Sequence, residues 1–331
     1  MINRSHRSLR AWALCLLLLL GFGGCATRSA PPAPHDVVAF LPPEDNTILS
    51  RYAPAFVVEE PEQFYNLVGT PTAGLGGDGT EEIRVDPWRA TVYTETRRFD
   101  TGNGSWTNLV YRVHFQEVPG GLLPYYLGKG KNVGLLVVVT LNREMKPVLY
   151  TTVHTCGCYL AFVPTNLLPQ SAYPSGWPQD RQTVHSENLP ALIRLGEKPE
   201  SKRLMVLLRD GTHRVKDLWL EPQHALIHYR RIKTETAPLS SLEALPLPTG
   251  GTTSLYESTG SRSGYVKGSQ KPRERLLMSW WAFDWRVGED KKLGASKTDG
   301  TLFYTSLKPW ARERSDMRDF PTFLAYWGWR L

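Results

Sequence analysis

The feature that most narrows what this chain can fold into is a period of two. In residues 106–115, Leu109, Tyr111, Val113 and Phe115 alternate with Asn108, Val110, Arg112 and His114. At that spacing every second residue of a strand meets one face of a sheet. Residues 89–99 lead into this run through Asp100-Thr101-Gly102-Asn103-Gly104, which reads as a hairpin. Residues 133–141 and 148–163 form a second candidate hairpin about residues 142–147. Residues 203–209 and 213–220 form a third about Asp210-Gly211, a pair suited to the positive φ angles of a tight turn. A body over residues 55–234 is therefore expected to be mainly β, with antiparallel sheets in a sandwich- or barrel-like arrangement and a few short helices.

The N-terminus follows a different logic. Arg4, Arg7 and Arg10 precede an apolar run that Gly21, Gly23 and Gly24 break, with no acidic residue before Cys25. This is the layout of a secretory leader, too short to remain as a membrane-spanning helix, which needs about 20 apolar residues. The residues Phe22-Gly23-Gly24-Cys25 resemble the lipobox of bacterial lipoproteins, in which a small residue precedes an obligatory cysteine. That resemblance covers only the leader. It implies removal of residues 1–24, lipidation of Cys25 and anchorage to the cell membrane. Ala26 after the cysteine implies the outer membrane, facing the periplasm, in a cell with two membranes.

Loss of the leader lowers the formal charge from +7 to about +4, with both signs scattered, which argues against a nucleic-acid partner. Of the four cysteines, Cys15 leaves with the leader and Cys25 takes the lipid, so no disulfide framework exists and packing must hold the fold. Residues 25–54, with Pro31, Pro32, Pro34, Pro42 and Pro43, read as a lipidated, extended tether. Residues 235–271, rich in Pro, Gly, Ser and Thr, read as a linker or long loop. Residues 272–331 hold six of the 11 tryptophans and are expected to pack on the β body. Within them, Asp319 is positioned to cap a short helix that carries Pro321, Phe323, Leu324 and Trp327 and stops at Gly328. Sugar stacking and a seat at the membrane interface are the functional alternatives for these indoles.

One local cluster combines groups able to ligate metal or exchange electrons: His154, Cys156 and Cys158. Imidazole and thiolate suit zinc or copper. Alternation would place the three on one strand face, where they span too far for one metal unless Gly157 bends the chain. Three readings stay open: two core thiols, a Cys156–Cys158 disulfide, or a metal site. The order of these residues differs from the His-Gly-Cys-x-Arg core of bacterial L,D-transpeptidases, since Tyr159 and Leu160 occupy its last two places. His224 and His228, four apart, have a ligand-like spacing on a helix, but Ala225 stands where a zinc peptidase carries Glu. Residues 74–79 match the letters of a dinucleotide fingerprint without a following helix, and read as a loop. The expected function is a membrane-anchored envelope lipoprotein that binds an envelope protein or a glycan, or supports structure, without catalysis. The alternative is a thiol-redox or metal-binding lipoprotein using His154, Cys156 and Cys158.

Overall fold

All three hairpins expected from alternation form, although the third turns through four residues, 210–213, rather than through Asp210-Gly211 alone. The computed structural model describes residues 31–121 and 125–331; the leader and Cys25 lie outside these residues. Chain order begins with β1 (Val38–Leu41), α1 (Ile48–Arg51), β2 (Ala55–Val58), and an outlying hairpin of β3 (Thr70–Leu75) and β4 (Glu81–Asp86). Then come β5 (Thr91–Thr101), β6 (Gly104–Val118), β7 (Gly130–Leu141), β8 (Pro147–His154) and β9 (Ala161–Pro164). A small hairpin of β10 (Arg181–Val184) and β11 (Glu187–Pro190) precedes β12 (Lys202–Leu208), β13 (Val215–Pro222), β14 (Arg230–Lys233) and β15 (Glu235–Pro238). The last two helices are α2 (Pro272–Ala282) and α3 (Phe320–Tyr326).

Pairing of Thr101 with Gly104 leaves Gly102-Asn103 as the two-residue loop between β5 and β6. Between β7 and β8 the Asn142 side chain accepts the backbone N–H groups of Glu144 (3.0 Å) and Lys146 (2.9 Å) and so closes the turn. The strands build a six-stranded sheet in the order β15-β5-β6-β7-β8-β9 and a five-stranded sheet in the order β13-β12-β2-β1-β14. Leu109, Tyr111, Val113, Leu135 and Val137 of the first sheet pack with Phe40, Phe56, Val206 and Leu208 of the second. The architecture is thus sandwich-like, and no sheet closes into a barrel among the described residues.

The C-terminal segment packs on the outer face of the six-stranded sheet. Val110, Leu136 and Val138 meet Phe303, Phe323, Leu324 and Trp329 there. The Asp319 side chain accepts from Thr322 N and caps α3, and Gly328, at φ 87°, ends it. β6 is therefore buried on both faces. Even Asn108, Arg112 and His114 are buried.

Four expectations need correction. Residues 38–54 are not tether: β1 lies between β2 and β14, inside the smaller sheet, because the apolar run Val37–Leu41 outweighs the prolines around it. Residues 235–271 are not a linker, since Leu242, Leu255 and Val266 are fully buried beside Ile83 and Tyr93. Turns, short 3-10 segments and isolated bridges leave no periodicity to read there. The strand expected over 148–163 stops at His154 and resumes at Ala161. Finally, of the six C-terminal tryptophans only Trp329 is a core residue, while Trp280, Trp285 and Trp310 are more than 60% exposed.

Replacing Phe323, fully buried against Phe162 and Phe320, with Ala is expected to cost about 3–5 kcal/mol. Leu276→Ala, at a 78% exposed position, is expected to change stability by no more than about 0.5 kcal/mol. Urea unfolding of both variants checks the contrast.

Candidate functional site

The bend that ends β8 builds the site. His154 N donates to Cys158 O (2.9 Å) and Gly157 N to His154 O (2.7 Å), closing a tight turn. Gly157 sits at φ 89°, and a Cβ there would run into the Tyr304 carbonyl oxygen, so this position requires glycine. Within the turn Cys156 and Cys158 form a disulfide with Cα atoms 5.5 Å apart. Of the three readings left open by the sequence, the bridged one is found.

His154 makes its contacts with groups other than the sulfurs. Its Nε2 donates to the His213 carbonyl at 3.0 Å, and its ring meets Tyr159 edge-on at 4.8 Å. His213 in turn stacks on Phe115 and bonds the Tyr65 carbonyl through Nε2 (2.8 Å). Burial lowers the pKa of both imidazoles from 6.5 to about 3, so both are neutral in the fold. A metal held jointly by His154, Cys156 and Cys158 is therefore not supported: the sulfurs are bonded to each other and the imidazole to a carbonyl. No other group of three His, Cys, Asp or Glu side chains is arranged for a metal among the described residues. His224 and His228 sit exposed on a 3-10 segment, Gln223–His228, and belong to no metal-ligating group among the described residues.

Beside the disulfide lies a set of buried charges that no sequence pattern singles out. Lys271 Nζ pairs with Asp290 Oδ2 at 3.0 Å, and the other Asp290 oxygen accepts from the Thr155 hydroxyl and from Gly134 N (3.2 Å). Lys291 donates its backbone N–H to Thr155 O (2.9 Å) and its ammonium to Cys156 O (2.7 Å), 4.2 Å from the centre of the Tyr304 ring. Burial lowers the Lys291 pKa to about 8. Burial also opposes charge on Lys271, but Asp290 and Glu274 beside it prevail and hold its pKa up. The run Glu289-Asp290-Lys291-Lys292 looks like a solvated surface stretch in the sequence, and only its packing against residues 154–158 reveals otherwise.

The disulfide borders a cleft of about 840 Å³. Its lining also includes Met278 and Trp281 of α2, then Phe283, Leu307 and Trp310, with Trp177 and Phe162. Its size and mostly apolar lining, with few polar groups, match a small-molecule seat. A smaller cavity of about 550 Å³ is bordered by Arg97, Lys297 and Arg318, but these cations already pair with Glu95, Asp319 and Asp316. α2 buries only Glu274 and Ala282 and leaves Leu276, Leu277, Trp280 and Trp281 in solvent. With Phe283, Trp285 and Trp310 these make an aromatic rim that extends past the cleft.

No family model matches the chain, and comparison with curated proteins and with solved structures found no match.

The neutral histidines set a pH dependence. Their folded pKa values lie below 6.5, so the unfolded chain binds more protons between pH 6.5 and about 3, and stability falls as pH drops through that window. Each contributes a slope of up to about 1.4 kcal/mol per pH unit. Urea unfolding from pH 7 to 4 is expected to show a shallower decline for His154→Gln than for the parent chain, and an equal decline would refute the assignment.

Proposed function

We propose that this chain is a lipoprotein of the bacterial envelope, fixed by lipid on Cys25 to the periplasmic side of the outer membrane, that binds an acyl chain in its aromatic cleft. The observation that carries this is the rim itself. Leu276, Leu277, Trp280, Phe283, Trp285 and Trp310 are all 49–78% exposed, a concentration of large apolar side chains that soluble surfaces seldom leave unused. Indole favours the membrane interface, and arginine suits the phosphates found there. Segments 272–286 and 308–314 carry Arg273, Arg275, Arg286, Lys308, Arg312 and Arg314 against Glu274, Asp284 and Glu313. Glu274 is buried, so these six cations face only Asp284 and Glu313, and the exposed charge of these segments is strongly positive. Arg275 lies over the Trp285 ring at 3.7 Å. A glycan seat would set several polar groups beside the indoles; the cleft does carry Gln182, Thr183 and Ser306, but Met278, Val287, Leu307 and Pro309 join Trp281 and Trp310 in making its lining mostly apolar. That composition favours an alkyl ligand.

Two experiments test the proposal. Cells fed labelled palmitate should label the native chain and not Cys25→Ser; retention of label by the variant would remove the anchor. For the rim, the native chain is reconstituted into vesicles containing brominated phospholipid. Tryptophan emission should be quenched, and Trp280→Ser combined with Trp310→Ser should lose most of that quenching. Rim tryptophans that stay fully open to aqueous iodide would rule out contact with the bilayer.

A further inference from the structure

We propose that Cys156–Cys158 is a thiol–disulfide exchange site for a dithiol entering the cleft, with Cys158 the sulfur attacked and Cys156 the sulfur released. Both residues line the cleft, so the bridge faces a space that a partner's side chain can enter. The two sulfurs differ in surroundings. Cys158 is partly exposed, whereas Cys156 is only 3% exposed. Cys156 is also the better leaving group. The Cys158 N–H donates to Cys156 Sγ at 3.3 Å, and the Lys291 ammonium sits on the Cys156 carbonyl at 2.7 Å. A hydrogen-bond donor and a nearby cation both favour thiolate over thiol.

The turn does not depend on the bridge for its shape. The hydrogen bonds between His154 and both Gly157 and Cys158 remain available when the sulfurs are reduced, as does the contact of Gly157 with Tyr304. The reduced sulfurs are therefore held within reach of each other, at a Cα separation inside the range a disulfide accepts. Opening and closing need no refolding.

In the exchange, the partner's thiolate sulfur bonds to Cys158 Sγ, the Cys156–Cys158 bond breaks, and its electron pair leaves on Cys156. The partner's second thiolate then attacks its own sulfur in the mixed disulfide and releases Cys158. Two electrons and two protons pass from the partner, which becomes a disulfide, to the protein, which becomes a dithiol. An oxidised partner reverses the sequence. This chemistry needs neither the lipid on Cys25 nor an alkyl ligand, so it stands or falls separately from the membrane proposal.

The test uses the native chain purified in detergent, with thiols counted by alkylation and mass spectrometry. Dithiothreitol without denaturant should open the bridge with the circular dichroism spectrum unchanged, and oxidised glutathione should close it again. A bridge that resists reduction until the protein unfolds would overturn the proposal. Attack on the intact bridge then assigns the roles. With reduced glutathione and a rapid acid quench, the mixed disulfide should sit on Cys158 at least about tenfold more often than on Cys156. Equal amounts, or more adduct on Cys156, would overturn the assignment. Peptide mapping separates both from any adduct on Cys25.

Discussion

The burial of β6 and β7 on both faces is the constraint on which the rest of the structure depends. On one side Leu109, Tyr111 and Val113 join Leu135, Val137 and Val139 against the smaller sheet. On the other, Val110, Leu136 and Val138 require an apolar cover, and the C-terminal segment provides it. A strand buried on both sides also traps its polar residues. Arg112 Nε donates to His114 Nε2 and Nη1 donates to Lys291 O, both at 3.0 Å, so the second face of β6 specifies where residues 290–292 must lie. An unpaired guanidinium in that position would be very costly.

That attachment assembles the candidate site. Arg97 donates to the carbonyls of Leu293 and Gly294, both at 2.8 Å, and holds the segment from the side of β5. Lys291 and Asp290 then bind the turn that follows β8 through Thr155 and Cys156. The disulfide turn, the charged set and the wall of the cleft are parts of one junction between the sheet and its cover. Such a junction combines rigidity below with an open apolar surface above. α2, which lends Met278 and Trp281 to the cleft, is anchored mainly by buried Glu274 and Ala282. Leu276, Leu277 and Trp280 stay in solvent.

How far the fold could be read from the sequence varied with whether a pattern was local. The hairpins at Gly102-Asn103 and Asp210-Gly211, and the helix between Asp319 and Gly328, were legible because turn residues, caps and periodicity act over a few positions. Residues 235–271 were not, because Leu242, Leu255 and Val266 are buried by irregular backbone that carries no repeat. β1 was hidden by the prolines on either side of a four-residue strand. At the site, the sequence marked His154, Cys156 and Cys158 as the group to watch. It missed Lys271, Glu274, Asp290 and Lys291, since charges close together in a chain ordinarily face water and only a tertiary partner reverses that expectation.

By itself, the sequence determined the β character, the main turns, the capped C-terminal helix and the Cys-Gly-Cys segment, all of which arise from neighbouring residues. Tertiary structure decided which face of each strand and which tryptophans are buried. It also turned His154 toward the His213 carbonyl and joined Cys156 to Cys158 beside Lys291. The reason is physical: a local pattern says which side chains share a face, but burial depends on what other part of the chain comes to lie upon it.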